Sequence, residues 1–182
     1  MLKILIFLAN GFEEVEAVTP ADYLRRAGID VVLTGVGTTT PTGARGISIN
    51  TDIEISDLSG VPDGVVLPGG LPGAQNLADS EDVFRICREV MDSGGMVASI
   101  CAAPALVLGT YRMLEGRRYT CYPGFEENQS SGFFSDNRVV VDGNLITSRS
   151  AGTAAEFSLA IIRYLLDDEM AKKVAASVLL TH

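Results

Sequence analysis

Short apolar segments alternate along the chain with longer segments in which apolar and polar residues recur at helical spacing. The short segments predict buried strands, and the longer ones predict amphipathic helices. This alternation is typical of βαβ units, in which a mostly parallel sheet is covered by helices. The predicted strands are Ile4–Leu8, Val31–Thr34, Val65–Leu67, Met96–Ile100, Val139–Val141 and Leu145–Thr147.

Charged and capping residues mark the ends of the helices. Acidic residues favour the start of a helix, serine caps it and glycine ends it. Ser80 should cap one helix, and Asp142-Gly143 should join the last two strands in a hairpin. The segment 38–52 is rich in Thr, Gly and Pro, which indicates a surface excursion with short strands. The predicted helices are Val15–Ala27, Glu81–Asp92, Ala102–Leu108, Ala154–Leu166 and Glu169–Leu180.

Composition indicates a single globular α/β domain over residues 1–182. Hydrophobic residues make up 47% and charged residues 20%, and the formal net charge is −9. Such an acidic chain is expected to bind neither nucleic acid nor an anionic membrane. The apolar run at the N-terminus is too short for a signal peptide, and no run reaches transmembrane length. Three cysteines with no CxxC pair favour a reducing, cytoplasmic setting, and their spacing suggests no metal site.

The strongest chemical candidate is Cys101, directly after the fourth buried strand. Small residues on either side, in Ser99-Ile-Cys-Ala-Ala103, allow a sharp strand-to-helix turn like the nucleophile elbow of hydrolases. The start of the following helix should favour thiolate over thiol and so lower the pKa of the cysteine. The alternative is a buried structural cysteine.

Two other segments also follow buried strands. Gly69 and Gly70 follow the third strand, where main-chain N–H groups are suited to an oxyanion hole, although an ordinary glycine turn fits equally. Glu16 is expected to project from the first turn of the helix after the first strand, towards a neighbouring strand end. It belongs to a cluster of carboxylates that also fits a solvated helix start. The carboxyl ends of parallel strands meet at one edge of a sheet, so we expect the three segments to converge there.

Histidine is almost absent, which narrows the chemistry. The sole histidine is His182, the last residue, so a Cys-His catalytic unit is not expected and peptidase or amidotransferase activity is disfavoured. No complete glycine fingerprint indicates a dinucleotide, and no cofactor is expected. Cys121 fits either a pocket wall or simple burial, whereas Cys87 has helical spacing typical of the core.

Seven segments spread over nearly the whole chain form a recognisable set. They are Ala9-Asn-Gly-Phe-Glu-Glu-Val-Glu16, Arg25-Arg-Ala-Gly28, Val65-Val-Leu-Pro-Gly-Gly70, Gly73-Ala-Gln-Asn-Leu77, Ile100-Cys-Ala-Ala-Pro104, Thr147-Ser-Arg149 and Gly152-Thr-Ala-Ala-Glu-Phe157. Together they resemble the ThiJ/PfpI superfamily, in the branch of the human Parkinson-disease protein deglycase and bacterial YajL.

The resemblance implies a flavodoxin-like three-layer α/β/α sandwich and a homodimer. It implies that Cys101 is an oxidisable nucleophile, that Glu16 is its protonated partner, and that the Gly70 and Ala102 amides form the oxyanion site. It also implies that Arg45, and Arg26 of the second subunit, lie near the cysteine.

The chain departs from relatives at two places that border the expected pocket. It has Cys121-Tyr122-Pro123 where the human relative has histidine, and Ser150-Ala151-Gly-Thr where relatives often have Gly-Pro-Gly-Thr.

The family activities leave three functional classes open. The first is an enzyme acting on reactive carbonyls, such as methylglyoxal or glycated adducts. The second is an oxidative-stress sensor that uses oxidation of Cys101. The third is a chaperone or interaction module. The residues favour the enzyme, because a cysteine, a carboxyl and a pair of main-chain donors are expected at one place.

Overall fold

The fold is a central sheet with helices on both faces, seen in a computed structural model that describes residues 2–129 and 131–180. The strands are β1 (Lys3–Leu8), β2 (Asp30–Gly35), β3 (Ile53–Glu54), β4 (Gly64–Leu67), β5 (Met96–Ile100), β6 (Arg118–Tyr119), β7 (Phe133–Phe134), β8 (Val139–Asp142) and β9 (Leu145–Ser148). The helices are α1 (Glu14–Arg26), α2 (Gly73–Ala78), α3 (Glu81–Asp92), α4 (Ala154–Leu165) and α5 (Asp168–Ser177), and a π-helix covers Pro104–Gly109.

Seven strands form the main sheet in the order β3-β2-β1-β4-β5-β9-β8. All neighbours are parallel except β8 and β9, the predicted hairpin. β6 and β7 form a separate two-stranded sheet. The mostly parallel α/β sheet predicted from the sequence is therefore confirmed.

Alternation along the strands creates two buried layers. On β1, Leu5 and Phe7 face the layer covered by α2, α3 and the π-helix. Ile4, Ile6 and Leu8 face the layer covered by α1, α4 and α5. Because side chains alternate along a strand, a run of consecutive apolar residues supplies both layers at once.

The register of the strands brings four loops to one edge. Leu67 at the end of β4 pairs with Ser99, and Ile100 at the end of β5 pairs with Ser148 at the end of β9. β1 lies beside β4 in the same orientation. The segments after β1, β4, β5 and β9 therefore meet at the carboxyl edge of the sheet, where ligand sites of open α/β sheets lie.

Several predicted elements differ from those observed. Segment 38–52 forms an isolated bridge between Thr42 and Ser48 instead of short strands. The helix predicted over 102–108 is the π-helix, and α5 ends at Ser177. The short elements β3, α2, β6 and β7 were not predicted, because a few residues carry no measurable periodicity. In the part of the chain that the structure describes, no helix has the length and hydrophobicity to cross a bilayer.

Candidate active site

Cys101 lies at the turn between β5 and the π-helix, with a backbone conformation unusual for a side-chain-bearing residue. Its φ angle is 66°, in the left-handed region. Its N–H donates to the carbonyl of Ser148 at 3.0 Å, and its carbonyl accepts from the N–H of Tyr122 at 2.8 Å. These bonds hold a conformation that costs a non-glycine residue about 1–3 kcal/mol and that is typical of functional sites.

Glu16 lies on the first turn of α1 and is fully buried. Its Oε2 accepts a hydrogen bond from the N–H of Gly69 at 2.9 Å. Its Oε1 makes no hydrogen bond of ordinary geometry with any residue in 2–129 or 131–180. A buried carboxyl with one free oxygen is suited to holding a transferable proton.

Gly69 lies against the side chains of both Glu16 and Cys101 and leaves no room for a larger residue. A methyl group on its Cα would lie 2.6 Å from Cys101 Cβ and 2.8 Å from Glu16 Oε2. The bare Cα therefore lets the Glu16 carboxyl and the Cys101 side chain both approach the same side of one glycine. A glycine here is therefore required for space rather than for a turn.

Burial and mutual charge govern the protonation of the pair. Burial raises the pKa of Glu16 to about 7, while the N–H groups of Gly69 and Ala151 and the Cys101 thiol oppose the rise. Burial, followed by the charge of Glu16, raises the pKa of Cys101 to about 12. The N–H groups of Ala102 and Gly70 act on the sulfur in the opposite direction and lower this pKa.

The expectation of a lowered cysteine pKa is therefore corrected. It relied on a helix N-terminus, but only a six-residue π-helix follows, and it begins at Pro104. Burial and the neighbouring carboxylate outweigh the two N–H donors. With Glu16 protonated, the repulsion between the two groups is absent, so the protonation of each group depends on that of the other.

The three carboxylates before and within α1 have separate positions. Glu13 is at the mouth of the pocket, where its Oε2 lies 3.5 Å from Arg45 Nη2. Glu14 is buried, and its Oε1 accepts from the N–H groups of Arg45 at 2.8 Å and Ile47 at 3.2 Å. Although burial opposes it, these main-chain bonds lower the pKa of Glu14. Glu14 thus anchors the loop that presents Arg45.

A cavity of about 390 Å³ opens above Cys101. Tyr122 and Phe125 form one side of it, with their ring centroids 6.1 Å apart and an interplanar angle of 84°. The remaining lining residues are Glu13, Glu16, Ala44, Arg45, Gly70, Leu71, Ala102 and Ser150. The volume lies within the range of about 300–1,000 Å³ typical of small-molecule sites.

Not every predicted site residue lies at this cavity. Arg26 is exposed at the far end of α1, where it pairs with Asp22 at 2.6 Å. Cys121 is fully buried and does not line the cavity, and its Sγ lies 3.8 Å from Glu126 Oε2, so the burial alternative holds. Ala151 acts on Glu16 through its N–H. His182 lies outside the described residues.

Four lining residues were not predicted, namely Glu13, Ala44, Leu71 and Phe125, whereas Ser150 belongs to a segment that was expected to border the pocket. Two signals were available for them. Glu13 belongs to the same cluster of carboxylates as Glu16, and Leu71 directly follows Gly69 and Gly70. Phe125 and Ala44 lie in loops whose path no periodic pattern describes.

Comparison with known proteins links this geometry to a family. Residues 2–164 match the DJ-1/PfpI family. The chain is 39% identical over 184 residues to the Parkinson disease protein 7 homolog of Danio rerio, covering 98% of this chain and 97% of the relative. It is 32% identical over 156 residues to the glutathione-independent glyoxalase DJR-1.2 of Caenorhabditis elegans, covering 84% and 82%.

Among solved structures, the oxidized DJ-1 of Toxoplasma gondii superposes with a TM-score of 0.97 at 35% identity, covering all of both chains. The flavodoxin-like expectation is therefore confirmed. Two relatives are longer: the chain spans 41% of the DJ-1 homolog B and 46% of the DJ-1 homolog A of Arabidopsis thaliana.

Proposed function

Because the chain belongs to the DJ-1/PfpI family, we propose that it is a cofactor-independent cysteine enzyme acting on reactive carbonyls, of the glyoxalase or deglycase type. The substrate class is methylglyoxal or its adducts. The observation that carries this proposal is the packing of Glu16 and Cys101 against the same side of Gly69, beneath an open cavity. The relative from Caenorhabditis elegans is named a glutathione-independent glyoxalase.

The first step needs a base, because burial keeps the Cys101 thiol protonated at neutral pH. Glu16, with a pKa of about 7, is matched to that role. The carboxylate takes the thiol proton as the sulfur forms a bond to the aldehyde carbon. The carbonyl π pair moves to oxygen, where the N–H groups of Gly70 and Ala102 stabilise the negative charge.

Protonation of that oxygen by Glu16 gives a neutral hemithioacetal. Glu16 then moves a proton from the former aldehyde carbon to the neighbouring ketone carbon, and the hydroxyl proton passes from the first oxygen to the second. The first carbon is thereby oxidised to a thioester carbonyl, and the second is reduced to a secondary alcohol. Water hydrolyses the resulting thioester and releases a 2-hydroxy acid and the free thiol. The sequence consumes one water and needs no external oxidant or reductant.

Consumption of methylglyoxal without glutathione tests the proposal. Cys101→Ser should abolish turnover, and Glu16→Gln should lower it by roughly two orders of magnitude or more, because a donor remains but no transferable proton does. Cys87→Ser is the matched control, since Cys87 is buried in the core. Full turnover by Cys101→Ser would refute the nucleophile, and full turnover by Glu16→Gln would refute the proton carrier.

Redox sensing is the second candidate. Cys101 is the partly exposed cysteine of the three, and the Toxoplasma gondii relative was solved in an oxidized form. A sensor would show peroxide oxidation of Cys101 by intact mass together with no measurable methylglyoxal turnover by the reduced protein. That pair of results would replace the enzyme proposal.

We also propose a homodimer formed through the outer face of α1. Val15 and Val18 are large apolar side chains exposed on that face, beside a mostly apolar groove. Arg26 ends the same helix and is suited to approaching the partner's pocket. Light scattering should give about twice the chain mass of 19.3 kDa, and Val18→Asp should give the monomer. A wild-type monomer at micromolar concentration would contradict the dimer.

A further inference from the structure

The cavity above Cys101 is large for the smallest substrate of its proposed class. Methylglyoxal carries only a methyl group on its ketone carbon, whereas the cavity measures about 390 Å³. Once the aldehyde carbon is at the sulfur, most of that volume is left to the substituent on the ketone carbon. What lines this remaining volume therefore determines which carbonyl compound is bound well.

One side of the remaining volume is aromatic. Tyr122 and Phe125 meet edge to face, and we call this pair the aromatic wall. Tyr122 keeps 44% of its surface exposed, and within the described residues its ring packs on no aromatic partner other than Phe125. An exposed aromatic side chain at a pocket mouth offers a face to an apolar or aromatic ligand group.

The aromatic wall is fixed relative to the nucleophile before any ligand arrives. The N–H of Tyr122 donates to the carbonyl of Cys101 at 2.8 Å, and the N–H of Phe125 donates to the carbonyl of Tyr122 at 3.2 Å. The N–H of Gly124 donates to Glu126 Oε2 at 2.7 Å, which fixes the turn between the two rings. A backbone held in this way loses little freedom on binding, so contacts of the two rings it carries contribute to affinity.

The same segment is tied to the π-helix that follows Cys101. Gln129 Nε2 donates to the carbonyl of Ala105 at 2.8 Å. The segment that carries the aromatic wall is therefore bonded to Cys101 at its start, through Tyr122, and to the π-helix at its end, through Gln129. The separation of Cys101 and the aromatic wall does not depend on the closure of a loop.

Resting on the proposed function, we propose that Tyr122 and Phe125 form a substituent subsite that selects α-oxoaldehydes bearing an aromatic or extended apolar group. The cavity is also lined by Glu13 and Arg45, whose charges compensate each other. A neutral substituent therefore meets no unpaired charge from these two residues. Tyr122 and Phe125 act on binding and orientation, and the chemical step remains with Cys101 and Glu16.

The test compares pairs of reagents that differ only in phenyl against methyl. Turnover is measured as kcat/KM for phenylglyoxal and methylglyoxal. Alkylation is measured as the rate at which Cys101 displaces bromide from phenacyl bromide and from bromoacetone, each divided by the rate with free cysteine. Alkylation forms the sulfur–carbon bond and releases bromide, so it reports on the pocket even without turnover.

Tyr122→Ala should lower both phenyl-to-methyl ratios roughly two- to tenfold, the range expected for one aromatic contact. Tyr122→Phe should keep them. Tyr164→Ala is the matched control, because this tyrosine is 40% exposed on α4 and lies outside the cavity. Circular dichroism verifies that each variant is folded.

The outcomes separate the two proposals. If both ratios are unchanged in Tyr122→Ala, the proposed substituent subsite is overturned. If turnover persists in the same experiment, the proposed function stands. An alkylation ratio that depends on Tyr122, in a protein that turns over neither oxoaldehyde, supports the subsite and refutes the proposed function. An equal fall in Tyr164→Ala also overturns the assignment, because the effect is then not local to the cavity.

Discussion

The buried carboxyl of Glu16 should make the stability of the protein fall as pH rises towards neutrality. Burial raises its pKa from the ordinary 4.5 to about 7. Between these values the folded state keeps a proton that the unfolded state releases. The free energy of unfolding therefore decreases with rising pH, and the proton's contribution is fully present only below about pH 4.5. The difference between the two pKa values corresponds to roughly 3 kcal/mol, at about 1.4 kcal/mol per pH unit.

The sign distinguishes Glu16 from the anchoring carboxyl two residues before it. Hydrogen bonds lower the pKa of Glu14, so its contribution is lost as pH falls through its folded-state pKa. The two effects occur in different pH ranges. The stabilisation by Glu14 is complete once the pH exceeds the ordinary glutamate pKa of 4.5, and only above that pH is the stabilisation by Glu16 lost. A measurement between about pH 5 and pH 8 therefore isolates Glu16.

The assay is urea denaturation of wild type and Glu16→Gln at several pH values in that range. Glutamine is never ionised, so the free energy of unfolding of the variant should not show this decline with pH. Relative to the variant, the wild type should lose roughly 2–3 kcal/mol of its free energy of unfolding across the range. Glu89→Gln on α3 controls for the removal of one negative charge from the surface. Parallel curves for wild type and Glu16→Gln would refute the reasoning, and with it the assignment of a raised carboxyl pKa to this site.

Three further predictions concern accessibility, space and capping. Iodoacetamide should alkylate Cys101 faster than Cys87 or Cys121, because the latter two are fully buried; mass-spectrometric mapping that finds either of them labelled first would contradict this. Gly69→Ala should cost about 1–3 kcal/mol in the free energy of unfolding and displace the carboxyl, and unchanged denaturation and turnover would refute the contact. Ser80→Ala should cost about 1 kcal/mol, because Ser80 Oγ accepts from the N–H of Val83, and an unchanged urea midpoint would exclude a stabilising cap.

Much of the fold follows from signals local in sequence. Apolar runs such as Ile4–Leu8 and Met96–Ile100 lie in strands because both of their faces are buried. Ser80 and Gly94 mark the ends of α3 as their chemistry predicts. The rule that parallel strands present their carboxyl ends together was sufficient to expect Glu16 near Cys101.

What the sequence did not reveal depends on contacts between distant segments. The direction of the Cys101 pKa is set by burial and by Glu16, neither of which a helix-dipole argument contains. The separate positions of Glu13 and Glu14 depend on the loop at Arg45, which comes 31 positions after Glu14 in the chain. Phe125 reaches the cavity through a turn at Gly124, where φ is 92°, and no periodic pattern encodes that turn.

The convergence of four loops at one sheet edge also has a kinetic consequence. Glu16 and Gly69, which form a direct hydrogen bond, are 53 positions apart, and Cys101 bonds to Ser148. Such contacts close only after the intervening segments have been brought together, a step that is slow compared with the formation of a single helix. During refolding, recovery of the Glu16-dependent reactivity of Cys101 should therefore lag behind the recovery of helical circular dichroism. The reactivity of the Cys101 thiol thus reports when the sheet has been completed.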